Sequence, residues 1–295
     1  MNETSRRNFL RNVSLGGLAA LAIPGVASAA AATALSPAGA GADAVSGATS
    51  AAAPASVSGA TSAAAPALVS GPASAFGKDH KVRLEKGDVV LLQGDSITDW
   101  KRKKTALEPN SPSGLGEGYV FMVASELLCT YPDKDLKIYN RGVSGNKVYQ
   151  LAERWDADCM DLKPNVLSIL VGVNDFWHTL VNGYKGTIQT YRDDYKALLD
   201  RTRKALPDVR LIIGEPYAVP GVKAVDDKWY PAFYDYQKAA REIAESYGAA
   251  YIPYQAIYDK ALKSAPGAYW TIDGVHPSMA GAQLMANAWM ETVKG

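Results

Sequence analysis

Cysteine is scarce in this chain: Cys129 and Cys159 are the only two among 295 residues. A disulfide framework is excluded, and no cysteine stands near the N-terminus to carry a lipid anchor. Charge imbalance is also absent, since 31 Lys and Arg face 30 Asp and Glu. The excess of basic side chains that nucleic acid requires is missing, so no nucleic-acid partner is expected. Long apolar runs are lacking as well, because the stretch Val13–Val26 is about 14 residues rich in Gly and Ala, short of the ~20 that cross a bilayer core. No G-x-G-x-x-G follows the first apolar run of the globular part and no Walker A motif occurs, which disfavours nucleotide binding.

What the N-terminus does hold is Ser5-Arg6-Arg7-Asn8-Phe9-Leu10-Arg11, then the modestly apolar stretch, then Ala27-Ser28-Ala29 as a small-residue cleavage site. Residues 1–29 resemble a twin-arginine export signal cut after Ala29. The expectation is an exported bacterial protein, periplasmic or extracellular, with no membrane anchor in its mature form. Such export carries chains folded in a reducing cytoplasm, so a bridge between the two cysteines is optional.

Residues 30–77 are dominated by Ala, Ser, Gly, Pro and Thr, and Ala44–Ala55 is nearly copied by Ser56–Ala67, a 12-residue repeat. Too few large apolar groups are present to offset the entropy of ordering this segment, so it reads as a disordered linker. A spacer and slippage-generated filler are equal readings of it.

From residue 78 to 295 the pattern changes to short apolar runs, Val89–Leu92, Leu136–Tyr139, Val166–Val171, Val209–Ile213 and Ala250–Ile252, separated by amphipathic stretches. This alternation argues βαβ units around a parallel sheet in one α/β/α domain. Val148, Leu151, Trp155 and Cys159 keep helical spacing, and Tyr119–Leu128, Phe233–Tyr247 and a last segment from Ser278 to near Lys294 also read as helices. Thr187 suits the N-cap of a helix running through Leu206.

In open parallel sheets functional groups collect beyond the carboxyl ends of the strands. The first run empties into Gln93-Gly94-Asp95-Ser96-Ile97-Thr98-Asp99, the second into Asn140-Arg141-Gly142-Val143-Ser144-Gly145-Asn146, and the third into Gly172-Val173-Asn174-Asp175. Taken singly these are ordinary turn and cap sequences. Ser144 is a competing nucleophile, but the G-x-S-x-G elbow fails because residue 146 is Asn. Beyond the fifth run, Asp273-Gly274-Val275-His276-Pro277 spaces a carboxylate to reach a histidine Nδ1. Of the three histidines, His80 lies at the linker edge and His178 follows the third strand, which leaves His276 as the best base.

In this order, Gly94-Asp95-Ser96, the later glycine, Gly172-x-Asn174-Asp175 and Asp273-x-x-His276-Pro277 resemble the four blocks of the SGNH (GDSL-like) hydrolases. The longer strings Gly94–Asp99, Asn140–Asn146 and Leu170–Asp175 resemble carbohydrate-esterase-like members. The resemblance implies a flavodoxin-like three-layer α/β/α fold whose five-stranded parallel sheet is ordered 2-1-3-4-5. By position it implies Ser96 as nucleophile, His276 with Asp273 as proton relay, and an oxyanion hole of the Ser96 and Gly145 N–H groups and the Asn174 amide. Gly142 competes with Gly145, because only one of these neighbouring glycines can turn its N–H toward the site.

The chemistry so implied is a serine esterase working through an acyl-enzyme, with no metal and no organic cofactor. Trp100, Trp177 and Trp270 each lie near a motif, where aromatic faces suit sugar rings or pack the loop bases. Lys101–Gly118 is a polar, basic insertion rather than an apolar lid, which makes a long-chain lipase less attractive. The expected substrate is a small-acyl, acetyl-type ester on a small molecule or polysaccharide. A lipid or thioester hydrolase and an acyltransferase share every motif, and a non-catalytic glycan-binding module is the reading of another class. No sequence feature sets the oligomeric state.

Because residues 30–77 have no core to contribute, deleting them should leave the melting temperature and the activity of the purified protein unchanged. A drop of several degrees by calorimetry would mean that the segment docks on the domain.

Overall fold

A computed structural model describes residues 81–295. The export signal and the repeat-bearing linker expected from the sequence lie outside the described residues. The strands are β1 (Val82–Arg83), β2 (Val89–Gly94), β3 (Lys137–Asn140), β4 (Val166–Leu170), β5 (Arg210–Gly214), β6 (Ala250–Ile252) and β7 (Val293–Lys294). Helices α1 (Ser96–Asp99), α2 (Pro112–Leu115), α3 (Tyr119–Thr130), α4 (Val148–Glu153) and α5 (Val173–Val181) occupy the first half. Helices α6 (Ile188–Ala205), α7 (Phe233–Ser246), α8 (Tyr254–Ala261), α9 (Gly267–Trp270) and α10 (Met279–Met290) follow.

Each apolar run becomes a strand because β-branched and aliphatic side chains suit a pleated surface covered on both faces. Five strands form a parallel sheet ordered β3-β2-β4-β5-β6, the 2-1-3-4-5 order expected. All five residues of β4, at its centre, are buried. Helix α3 packs on α10 and α8 on α10, whereas α4 packs on α6 and α6 on α7. Right-handed crossovers put these two groups on opposite faces of the sheet. One fully buried indole anchors each layer: Trp289 of α10 donates to Ser168 Oγ on β4 at 3.0 Å, and Trp155 donates to Thr202 Oγ1 on α6 at 3.0 Å. Buried indoles with a partner for their N–H contribute their full apolar area without an orphaned donor.

Three features differ from the reading of the sequence. The Val148–Cys159 stretch is not one helix, since α4 ends at Glu153 and a wide i→i+5 turn over Asp156–Met160 follows. The extra residue keeps Trp155 and Cys159 fully buried while Arg154 turns away toward the 141–146 loop. The last helix stops at Met290, where Thr292 donates from both its N–H and Oγ1 to the Trp289 carbonyl, and Val293–Lys294 becomes strand. That strand pairs in parallel with Val82–Arg83, a second, two-stranded sheet too short to show any alternation in the sequence. No helix among the described residues is long and apolar enough to cross a membrane.

Cys129 lies exposed on α3 and Cys159 buried beyond α4, so the sheet separates two free thiols. Burial pushes the Cys159 thiol up to about 12. Thiol counting should therefore find one group reacting in the native protein and two after denaturation without reductant. An intramolecular bridge mapped by mass spectrometry would contradict both the pairing and the strand order.

Candidate active site

The exits of β2, β3 and β4 meet at one edge of the sheet. Asp95 caps α1 by accepting the Ile97 N–H at 3.0 Å, which leaves Ser96 as the first helical residue. Ser96 Oγ lies 2.8 Å from His276 Nε2, and His276 Nδ1 lies 2.7 Å from Asp273 Oδ2. Local turn chemistry builds the second half of this chain: Asp273 Oδ1 accepts the Val275 N–H at 3.0 Å and the His276 N–H at 2.8 Å. Thr271 bridges Pro277, and the Ile272 N–H donates to the His276 carbonyl at 2.8 Å, closing the loop around them.

Electrostatics follow from this geometry. Burial pulls the His276 imidazolium down, but the Asp273 hydrogen bond and charge outweigh it, so the ring titrates above its ordinary 6.5. Burial likewise opposes the Asp273 charge, yet hydrogen bonds from the His276 ring and from the backbone N–H groups of His276 and Val275 hold its carboxyl down at about 2. A charged Asp273 beside His276 fixes the tautomer, with the proton on Nδ1 and Nε2 free to accept from Ser96.

The two glycines differ in their surroundings. The Gly142 N–H donates to Asn140 Oδ1 at 2.8 Å, and a Cβ there would collide with the Asp99 backbone. Gly145 sits at φ 81°, a left-handed conformation that suits glycine, and its N–H has no partner among the described residues. The Ser96 N–H is equally unpaired, and Asn174 Nδ2 gives one hydrogen to the Asn146 carbonyl at 3.2 Å. Its second hydrogen is left to point elsewhere.

Side chains that the sequence did not single out hold the 141–146 loop. Asp99, buried at the end of α1, accepts both the N–H of Ser144 at 3.0 Å and its Oγ–H at 2.7 Å. That accounts for Ser144, the competing nucleophile, as an anchor of the loop. Arg102 Nε donates to the Gly142 carbonyl at 2.7 Å, and Arg154 donates to Asn146 Oδ1 at 2.8 Å and to the Arg141 carbonyl at 2.7 Å. Asn140 Nδ2 reaches back to the Thr98 carbonyl at 2.7 Å. Two further buried carboxyls border the site. Asp175 accepts the Val148 N–H at 3.2 Å, and burial raises both Asp95 and Asp175 to about 7. Partner separations of up to 45 residues explain why no local pattern announced most of these contacts; only the strings Gly94–Asp99 and Asn140–Asn146 carried a trace of them.

Of the three tryptophans, two border the imidazole. The Trp100 and Trp177 rings lie 6.0 and 6.3 Å from the His276 ring. Trp270 instead donates its N–H to the Ala261 and Ala265 carbonyls at 3.1 and 3.2 Å and meets Tyr269 edge-on, a loop-base position. The 101–118 insertion is anchored rather than loose, with Arg102 and Leu115 buried.

The model of the GDSL-like lipase/acylhydrolase family matches residues 92–284. An acetylxylan esterase of Geobacillus stearothermophilus is 31% identical over 214 residues, covering 72% of this chain and 96% of the esterase. A solved structure from Parabacteroides merdae ATCC 43184, described as a GDSL-like lipase, is 49% identical at a TM-score of 0.71, covering 72% of this chain and 98% of that one. A crystal structure of an acetylxylan esterase from Geobacillus stearothermophilus is 28% identical at a TM-score of 0.65, covering 72% of this chain and 97% of that one. Catalytic mutants of that esterase at one serine and one aspartate have also been solved.

The electrostatics of the relay can be read directly. By NMR the His276 ring should titrate above 6.5, and Asp273→Asn should lower its midpoint, because burial then acts without the opposing charge. A midpoint unmoved by that substitution would mean that Asp273 does not set the ionisation of His276.

Proposed function

This chain belongs to the GDSL-like lipase/acylhydrolase family and is a carboxylic ester hydrolase, and on that premise we propose that it removes acetyl groups from carbohydrate. Ser96 is the nucleophile, His276 its base, and Asp273 the group that orients and stabilises the imidazolium. The observation that carries this reading is the unbroken chain Ser96 Oγ to His276 Nε2 at 2.8 Å and His276 Nδ1 to Asp273 Oδ2 at 2.7 Å. Beside it stand the Ser96 and Gly145 N–H groups and the second Asn174 hydrogen, all without protein partners among the described residues.

In attack, Ser96 gives its proton to His276 as Oγ bonds to the ester carbonyl carbon. The carbonyl oxygen gains charge and is met by the three donors, which are stronger for the oxyanion than for the neutral ester. His276 then protonates the departing alcohol, leaving an acyl-Ser96, and water repeats the sequence to release the acid. Because the alcohol leaves on the His276 side, the bordering Trp100 and Trp177 rings form the surface a sugar would lie against. The likeness to an acetylxylan esterase supports the same substrate class. Export, supported by Arg6-Arg7 and Ala27-Ser28-Ala29, would bring the enzyme to polysaccharide outside the cytoplasm.

The test is turnover of an aryl acetate and release of acetate from acetylated xylan. Ser96→Ala should abolish both and lose labelling by a serine-directed phosphonate; labelling that persists or moves to Ser144 would overturn the assignment. Asn174→Ala should lower kcat by roughly 10²–10³-fold with little change in KM, since it removes a contact made in the transition state.

A further inference from the structure

His178 is a second imidazole at the edge of this site that the proposed chemistry leaves unused. It stands four residues after Asn174 on α5, and positions i and i+4 of a helix share a face, so the ring borders the same space as the Asn174 amide. On the other side of that space is Gly145. A Cβ built on Gly145 would have one neighbour within 4 Å, His178 Cε1 at 3.9 Å. The imidazole therefore lies on the side of Gly145, the proposed oxyanion donor, that a Cβ would occupy.

The backbone that carries the ring is fixed. The Asn182 and Tyr184 N–H groups both donate to the His178 carbonyl, at 3.0 and 3.1 Å, which fixes the end of α5. The Lys147 ammonium lies 4.9 Å from the Tyr184 ring centre and 5.7 Å from that of Tyr149, and the two tyrosine rings stack 6.0 Å apart. Burial, and then the Lys147 charge, push the His178 pKa down, so the ring is neutral at neutral pH. What Gly145 faces is the Cε1 edge of that neutral ring.

Which part of the substrate meets that face follows from the tetrahedral carbon, and this step rests on the esterase reading above. One substituent is Ser96 Oγ, one is the oxyanion among its donors, and one is the alcohol oxygen, directed at His276 between Trp100 and Trp177. The acyl substituent takes the fourth direction, away from His276. In this reading Gly145 bounds that side, and the group nearest to a Cβ built on it is His178 Cε1 at 3.9 Å. We infer that His178 is the end wall of the acyl subsite and restricts this enzyme to acetyl-sized acyl groups.

The experiment is the ratio of kcat/KM for p-nitrophenyl butyrate to that for p-nitrophenyl acetate, in the parent chain, His178→Ala and His178→Phe. The parent should favour acetate. His178→Ala should raise the ratio by roughly tenfold or more, the scale that added methylenes carry in an apolar pocket, while His178→Phe keeps the wall and the parent ratio. His178→Val, which also shortens the side chain, reads the same ratio if the alanine chain does not fold. An unchanged ratio in the shortened variant overturns the wall and leaves the esterase reading standing. Loss of both esters at an unchanged melting temperature also overturns it, since His178 would then act in the chemistry. A parent chain that turns over neither ester overturns the wall and the esterase reading together.

Discussion

The Asp99 carboxylate, buried and accepting two hydrogen bonds from Ser144, ties the segment that follows β2 to the loop that follows β3. Everything at the site depends on that tie, because Ser96 belongs to the first segment and Gly145 to the second. A charged acceptor roughly doubles the strength of a hydrogen bond, and removal of one partner from such a buried group costs several kcal/mol. Arg102 offsets part of the Asp99 charge from 3.9 Å while its Nε holds the Gly142 carbonyl. Arg154 repeats the arrangement from just past the end of α4, gripping Asn146, Arg141 and Asp158. Hydrogen bonds from three directions thus immobilise a loop that contains two glycines and would otherwise be soft. Preorganised donors cost no rearrangement when charge develops, which is the condition under which an oxyanion hole is effective.

A second consequence is electrostatic. His276 must become a cation in the proposed reaction, and the site supplies more than Asp273 to meet it. Asp95 is wholly buried next to Ser96, burial holds it near 7, and the His276 charge favours its ionised form. The two groups are therefore linked: protonation of the imidazole pulls Asp95 toward its carboxylate, and a charged Asp95 supports the imidazolium in return. Asp175, also near 7, belongs to the same buried set, since its carboxyl and that of Asp95 oppose each other's charge.

How much of this was legible in the sequence depended on the range of the interaction. Ser96, Asn174, Asp273 and His276 stand at strand exits or in a turn, where local chemistry restricts the residue types, so they could be read from fragments set in order. The five apolar runs were readable for the same reason, whereas the β1–β7 pair, with two residues in each strand, carries no period at all. The break after Glu153 was hidden because Trp155 and Cys159 keep helical spacing while the backbone between them widens by one residue. Gly142 and Gly145 could not be told apart without seeing that Asn140 already takes the Gly142 N–H. Arg102 and Arg154 look like any other basic residues in a mixed-charge chain, and their partners in the 141–146 loop lie 8 to 40 residues away, at no helical or strand spacing.

The backbone next to the proposed nucleophile, Ser96, shows where stability has been given up. Trp100 and Lys101 take φ of 31° and 63°, left-handed values that cost a non-glycine residue about 1–3 kcal/mol each. Surrounding contacts hold them there: the Trp100 N–H donates to the Ser96 carbonyl at 3.1 Å, the Glu117 N–H donates to the Trp100 carbonyl at 2.9 Å, and a Cβ on Gly118 would meet the indole. Relaxing this turn would free the strain but would carry the indole away from His276. The insertion from residue 101 to 118 thus acts as a brace for one aromatic wall, and α5 provides the other in Trp177. Two indoles beside the His276 ring, set against a single imidazole across from Gly145, make the surroundings of the proposed site unequal on its two sides. The asymmetry comes from the architecture itself, since one wall rests on the insertion after α1 while His178 is fixed one helical turn from the Asn174 amide.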